Sequence, residues 1–482
     1  MTLTGYYFTG QYSGRLRIIL LLLLLFTFFC SPHVRAQVNI FDLRKEKDTV
    51  TRFSDPPAKQ KRFGRAALEL GLAEIAPWTY DRYIVNVDYA RISWKTTGHN
   101  LNPGSWTWDN DPFQTNQFGH PYHGSMFYSA FRSNGYSFWQ SVPATMVGSY
   151  LWETFAENQA PAPNDFINTS FGGIVLGEMT FRLSNKIINN HRRGFKRQAS
   201  EVLGFLVNPM NGLNRIIDGK WGKVVGMADR SKDDSSKVSA EFDLGARKFN
   251  SGNQGLLTHG RFGWFGRAKL LYGASNENLH TPFSNISITA EFGKDDSSAV
   301  NVISVYGSLA GWDVSISDSV ENLIIISANY DYIRNAAFFY GGQSVKANLL
   351  SEFRLLNGFK VNTAVGAGLI ILGAAPDPYL YRGRNYDYGS GFAINGRAGF
   401  NIGNRFYYSI NYRGSWLMTI NGNKSHYFLH TITNEMSYRV LKDLSISAEP
   451  GYFRLEGNYK NHPDVDKTYP YLRISTRYRV NL

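Results

Sequence analysis

Two histidines three residues apart, His120 and His123, stand in the first half of the chain. Helically spaced pairs follow them, Glu153 with Glu157 and Glu178 with Arg182. On helices each pair shares a face, because residues three or four apart are neighbours on a helix surface. Imidazoles and carboxylates together make a donor set for a divalent metal, and a His/Glu pair can also act as a general base and its orienting group. Asp165 joins them as an acid at the start of a further helical stretch, and Asp109 and Asp111 have the alternate spacing of cation-binding loops. The chemistry these residues would support is hydrolysis or group transfer. A structural reading competes with it, since polar groups between packed helices must be paired and a buried hydrogen-bonded network would use the same residues. The strict zincin motif, the Gly-x-Ser-x-Gly elbow and any paired cysteines are absent from the sequence, and Asp109-Asn110-Asp111 lacks the remaining ligands of an EF-hand loop. The balance favours a non-enzymatic protein without a cofactor. The alternative is a divalent metal drawn from His120, His123, Asp109 and Asp111.

Helices must position these residues. Apolar residues recur at three- and four-residue spacing over Met126–Ala156 and Asp165–Ile188, and more weakly over Gln198–Ile217. Pro161 and Pro163 separate the first two stretches, and Asn164 or Asp165 suits the cap of the second. Gly172, Gly173 and Gly177 form a small-residue face that would let another helix approach closely. A helical domain over residues 62–220 is expected, preceded by a charged, poorly ordered leader over 37–61 and followed by a link over 221–236.

Within this half, the residues Trp108-Asp109-Asn110-Asp111, Phe113, Asn116, His120-Pro121-Tyr122-His123-Gly124, Arg132-Ser133-Asn134-Gly135, Trp152-Glu153, Asn164-Asp165, Gly172-Gly173 and Gly177-Glu178 occur in an order that resembles a domain-of-unknown-function family of Gram-negative outer-membrane proteins. The resemblance covers roughly residues 80–190. It implies an outer-membrane location and brings no biochemical activity with it.

The second half has a different period. From about Lys237 on, segments of roughly ten residues alternate and are separated by Gly, Asn, Asp and Ser turns. The closing segment sets Leu472, Ile474, Thr476, Tyr478, Val480 and Leu482 against Arg473, Ser475, Arg477, Arg479 and Asn481. One face can then meet lipid while the other meets water. The segments number about twelve, an even count as a closed antiparallel barrel requires, so residues 237–482 read as a transmembrane β-barrel and the whole chain as α+β. A soluble sandwich would alternate in the same way. The barrel is preferred because aromatics reach 15%, with 29 Tyr and 33 Phe, while mean hydropathy is only −0.29. Pro450 and Gly451 suggest a bulge or strand end, and His430 falls on the lipid side of its segment.

The N-terminus agrees with export. Arg15 and Arg17, the apolar run Ile18–Phe29 and Val34-Arg35-Ala36 read as a signal peptide over 1–36, removed together with Cys30, the only cysteine. The formal charge of +13 is dispersed, so no nucleic-acid partner is expected. Inward-facing Arg397, Arg405, Arg413, Arg439, Arg473, Arg477 and Arg479, with Glu435 and Glu449 as counter-charges, point either to a basic lumen for anionic solutes or glycans or to an ion-pair mesh filling a narrow barrel. The expected location is the outer membrane of a Gram-negative bacterium, with the helical domain periplasmic or in the barrel. Its partners would be outer-membrane lipid and, during biogenesis, the barrel-assembly machinery. Its function would be small-solute passage or envelope organisation, with the helical part as plug or cap. The alternative is a membrane-anchored hydrolase or transferase acting on envelope lipid or glycan.

Overall fold

The computed structural model describes residues 60–224 and 237–481, apart from 251–254, 274–278, 294–297, 318–319, 336–337, 355–358 and 404. The expected signal peptide, nearly all of the leader and most of the link lie outside the described residues.

Twelve antiparallel strands close into a barrel in which each strand pairs with its neighbours in sequence and β1 pairs with β12. They are β1 (Val238–Phe249), β2 (Arg261–Tyr272), β3 (Ile286–Phe292), β4 (Val300–Ser317), β5 (Val320–Arg334), β6 (Phe339–Arg354), β7 (Lys360–Tyr381), β8 (Arg384–Ile402), β9 (Phe406–Asn421), β10 (Ser425–Arg439), β11 (Leu444–Tyr459) and β12 (Val465–Asn481). Closure removes the unpaired edges that an open sheet would leave. The period of two then decides what faces where. Leu244, Val365, Leu369, Phe392, Ile394, Trp416, Met418 and Ile474 are exposed and share the outward phase. On the opposite phase, ion pairs join strands that are not neighbours, Arg267 of β2 to Glu449 of β11 and Arg473 of β12 to Glu291 of β3, which is possible only across the interior.

β11 runs unbroken through Pro450, paired with Leu472, and its phase is unchanged. The bulge expected there is therefore absent, and register shifts fall instead on β3/β4, β4/β5, β6/β7, β7/β8 and β8/β9. His430 sits among the rings of Tyr412, Phe428 and Tyr452 on the outward face.

The helical part contains α1 (Phe63–Tyr80), α2 (Trp94–Asn100), α3 (His120–Arg132), α4 (Phe138–Leu151), α5 (Pro163–Ile167), α6 (Gly173–Ile187), α7 (Gly194–Val207) and α8 (Pro209–Ile217). The stretch Met126–Ala156 is two helices, because Gly135 takes φ +91° and Ser137 begins α4 with a capping box to Gln140. Gln198–Ile217 is likewise split by Asn208-Pro209, with the Asn208 side chain accepting from the Asn211 N–H. Pro163 takes the first position of α5 and Ala162 the cap, so Asn164 and Asp165 lie inside the helix and their side chains are available for other partners. Where α3 crosses α6, a Cβ at Gly124 would overlap the Thr169 carbonyl, one at Gly173 would meet the Gly124 backbone, and one at Gly177 would lie 2.7 Å from the Tyr128 ring. Only glycine permits that approach.

The bundle does not enter the barrel. Its contacts are with outward-phase residues: Phe113 packs on Tyr332, Phe339 and Tyr386, Gln343 donates to Asn168 at 3.1 Å, and Asn116 donates to the Tyr386 hydroxyl at 2.8 Å. At the other end of the strands, Phe138 stacks on Phe283, and Arg182 donates to the Pro282 carbonyl at 2.7 Å. The expectation of a helical plug, or of a helical domain within the barrel, is corrected accordingly. The bundle lies along the outer wall, and the barrel's own side chains occupy much of the lumen. Alternation in a strand says that one face is apolar; it does not say whether lipid or another part of the chain covers it.

Candidate functional site

Four helices of the bundle carry a wide, π-type turn: Asp81–Val85 after α1, Thr115–Gly119 before α3, Trp152–Ala156 after α4, and Asn168–Gly172 between α5 and α6. Such turns are rare and occur frequently at functional sites. Residues from these turns and from the loop at Asp109 gather near the β7/β8 hairpin, at the rim of the barrel where Arg384, Tyr386 and Tyr388 begin β8.

Asp109 is the centre of the cluster. It accepts from Asn116 at 3.1 Å, from the Asp111 N–H at 3.1 Å, and from Asn164. Asn164 donates also to Asp165 at 2.8 Å and to the Tyr388 hydroxyl at 3.3 Å. Tyr386 donates its hydroxyl to the Asp111 carbonyl at 2.7 Å, and Arg384, lying over both tyrosine rings, donates to the Asp109 carbonyl at 2.9 Å. His120 Nε2 lies 3.4 Å from Asp165 Oδ1. Glu153 accepts the Ala162 N–H at 3.0 Å, and Glu157 accepts the Trp152 indole N–H at 2.7 Å.

Too many carboxyl groups share this rim for all to ionise. Burial raises Asp109, and burial with the neighbouring Asp109 charge raises Asp111 to about 6. Glu157 rises to about 7, first through burial and then through the charges of Asp111, Asp109 and Asp81. Asp165 is pushed up by burial and by Asp109, while burial lowers His120 to about 3. Near neutral pH the His120 imidazole of this contact is therefore neutral, and Asp165 holds its proton more tightly than a free acid does.

A pH dependence follows. An acid raised in the folded state holds its proton more tightly than the unfolded chain does, so its stabilising effect is complete below the unfolded value and is lost as pH rises through the folded one. The window runs from the ordinary carboxyl range up to about 7 for Glu157. At about 1.4 kcal/mol per unit, the loss between pH 4.5 and 7 is on the order of 3 kcal/mol. Thermal melts of the purified protein should thus show a lower midpoint at pH 7.5 than at pH 5, and Glu157→Gln should shrink the difference. Lowered His120 contributes the opposite slope over part of this range, so the contradicting result is a Glu157→Gln profile identical to the native one.

The structure does not gather all the residues singled out by spacing. His123 turns away from His120, with Nε2 2.9 Å from the Ala73 carbonyl and its ring against Phe127 and Trp152. Glu178 accepts from Tyr128, Arg132 and Arg182 elsewhere in the bundle, and every such contact is a pairing contact. Among the described residues no group of three or more His, Cys, Asp or Glu is arranged to hold a metal ion, so the His120, His123, Asp109 and Asp111 set does not converge. Arg384, Tyr386 and Tyr388 were outside the candidate set. The available signal was an arginine on an outward strand phase, where lipid alone would leave its charge without compensation.

The lumen has two unlike sides. On one, Arg477 pairs with Asp243 at 2.6 Å and with Glu435, Arg473 with Glu449 at 2.8 Å, Arg267 with Asp243 at 2.8 Å, and Lys269 with Glu435 at 3.1 Å; apart from part-exposed Lys269 these groups are buried. Arg479 pairs with Glu241, and Arg397 donates to the Tyr407 hydroxyl at 2.5 Å. An aromatic cluster of Phe249, Phe338, Tyr427, Phe453 and Tyr471 packs the hairpin end. On the other side Arg413 keeps a side chain 61% exposed, facing Asp331 at 3.6 Å from four strands away. Arg405 does not line the wall; it lies in the β8/β9 turn, and Arg439 ends β10 beside it, donating its N–H to the Arg405 carbonyl.

Comparison with known proteins places the helical part. Residues 105–210 match the model of a domain of unknown function, DUF3943. The matched residues include Asp109, Asp111, Asn116, His120, Glu153, Glu157, Asn164 and Asp165 of the rim cluster. Solved structures similar to the chain include the NanC porin (10% identity, 48% of this chain and 98% of that one, TM-score 0.29). An outer membrane channel from Pseudomonas putida F1 (9% identity, 51% and 95%, TM-score 0.30) and the outer membrane channel DcaP of Acinetobacter baumannii (6% identity, 52% and 97%, TM-score 0.25) are also similar. At these scores the barrel assignment rests on the strand pairing itself. No curated protein matches the chain.

Proposed function

We propose that this protein is a non-enzymatic outer-membrane β-barrel that passes small anionic solutes along the open side of its lumen, with the DUF3943 bundle held on the outer wall. The supporting observation is Arg413. An interior guanidinium so exposed, with its nearest carboxylate at 3.6 Å, is the kind of fixed positive charge that favours anions in a confined route. Lys346 shares the inward phase of β6 and is partly exposed. The mesh on the opposite side narrows the route and restricts it to small solutes. Proteoliposomes carrying the full chain should release a small monovalent anion faster than a cation of the same size; equal or absent release of both would discard the proposal.

A second reading places acid–base chemistry on envelope lipid or glycan at the rim cluster, and the 3.4 Å contact of His120 with Asp165 favours it. Against it, Asn116, Asn164, Asp165, Tyr386 and Tyr388 are all buried, leaving a substrate little access. Outer-membrane lipid masses that stay the same when His120→Ala replaces the native chain would remove this reading.

A further inference from the structure

The bundle buries an unusual number of polar groups beside an apolar cluster of Leu70, Phe127, Ala144, Trp152 and Met210. Its interior holds Glu69, Asn134, Asn208, Asn211 and Asn214, linked by hydrogen bonds such as Asn134 to Glu69 at 2.8 Å and Asn208 to Ser129 at 2.8 Å. Along α1 and α4 its outer surface is apolar. From Phe63 to Tyr80 every exposed residue of α1 is uncharged, with Phe63, Leu68, Leu72 and Ile75 presented outward. From Phe138 to Phe155 the same holds, with Trp139, Val147 and Tyr150 exposed. α3 and α6 lie between these two flanks and the barrel, and expose little.

The lengths decide what covers this surface. Each stretch whose exposed residues are uncharged is 18 residues long, or about 27 Å at 1.5 Å per residue, close to the roughly 30 Å of a bilayer's hydrocarbon core. Exposed charges stand beyond both ends: Lys61, Arg62, Arg192, Arg193 and Lys196 toward the chain ends of the barrel, and Asp88, Arg91 and Lys95 toward the β7/β8 rim. Trp94, almost fully exposed beside Lys95, has the place of an interfacial aromatic. The bundle also docks on the face of the strands that elsewhere shows Val365, Leu369, Phe392 and Ile394 to the outside, so the two apolar surfaces are continuous. Among the described residues no single helix is both long and apolar enough to cross a membrane. Here most of the polar groups turn inward and pair with one another, the Glu74 carboxyl excepted, which meets much of the requirement that hydrocarbon places on isolated spans.

We infer that the bundle is embedded in the bilayer beside the barrel, and that its outer face is a lipid-binding surface whose occupant is the acyl chains of the membrane. This rests on the reading of the barrel as membrane-spanning, and the test separates the two. If Cys30 leaves with the signal peptide the exported chain has no cysteine, so single-cysteine variants Leu72→Cys, Val147→Cys, Leu369→Cys and Asp88→Cys report separately on bundle, barrel and rim. All four positions are exposed in the structure, so folding is not at stake. The full chain is reconstituted in phosphatidylcholine vesicles and exposed to a charged, membrane-impermeant maleimide, then unfolded in the presence of the reagent to confirm that each thiol reacts. The expected result is fast labelling at Asp88→Cys and at least tenfold slower labelling at the other three. Labelling of Leu72→Cys and Val147→Cys at the rim rate, with Leu369→Cys protected, would overturn the inference and leave the membrane barrel standing. Labelling of all four would overturn both.

Discussion

Glu178→Ala is expected to destabilise the bundle by about 3–5 kcal/mol, the usual consequence of removing one partner from a buried ionic cluster. The carboxylate is wholly buried and accepts from the Tyr128 hydroxyl at 2.8 Å, from Arg132 at 2.7 and 3.2 Å, and from Arg182 at 2.7 Å. Removing it leaves two guanidiniums facing each other across the gap without a carboxylate. Arg182 also donates to the Pro282 carbonyl, so the disturbance reaches the seam with the barrel. Glu178→Gln keeps an acceptor but loses the charge, and its cost should fall between that of alanine and zero. Urea unfolding of the detergent-solubilised protein, followed by tryptophan fluorescence, measures both. A loss below about 1 kcal/mol for the alanine variant would show that Glu178 is a solvated surface group, contrary to its position in the structure.

The barrel was legible because its pattern is local. Ile474 and Tyr478 against Arg473 and Arg477 give the two faces of β12 without any knowledge of its partner, and the same alternation in eleven other strands gives closure. Helix boundaries were less visible. The apolar spacing of Met126–Ala156 continues through Gly135, and the backbone conformation at that residue together with the Ser137 capping box divides it. The candidate site was legible in part. Asp109, His120, Glu153, Glu157 and Asp165 do meet near one rim, while His123 and Glu178, at equally suggestive spacing, belong to separate contacts. Spacing says which residues share a face of one helix. It carries nothing on the rotation of that face toward its neighbours, and nothing on Tyr386 and Tyr388, which lie more than 200 residues away in sequence.

The lumen shows a comparable limit. Arg413 and Arg477 occupy the same inward phase of their strands and cannot be told apart by pattern. Arg477 meets Asp243, Glu435 and Glu241 and is neutralised where it stands. Among the described residues Arg413 pairs with Asp331 alone, and it keeps its side chain open to the interior. Arg413→Glu would invert the charge on the open side, next to the Asp331 carboxylate, while leaving the buried mesh intact. Inverting a charge within a few ångströms of the route is expected to change the anion-to-cation permeability ratio by about tenfold or more.

The most direct measurement is therefore the zero-current potential of the full-length protein in a planar bilayer under a salt gradient, native and Arg413→Glu side by side. Passage of small anions predicts discrete conductance steps, an anion-selective potential for the native chain, and a shift toward cation selectivity in the variant. Absence of conductance from correctly folded protein, or a native potential that favours cations, would contradict it.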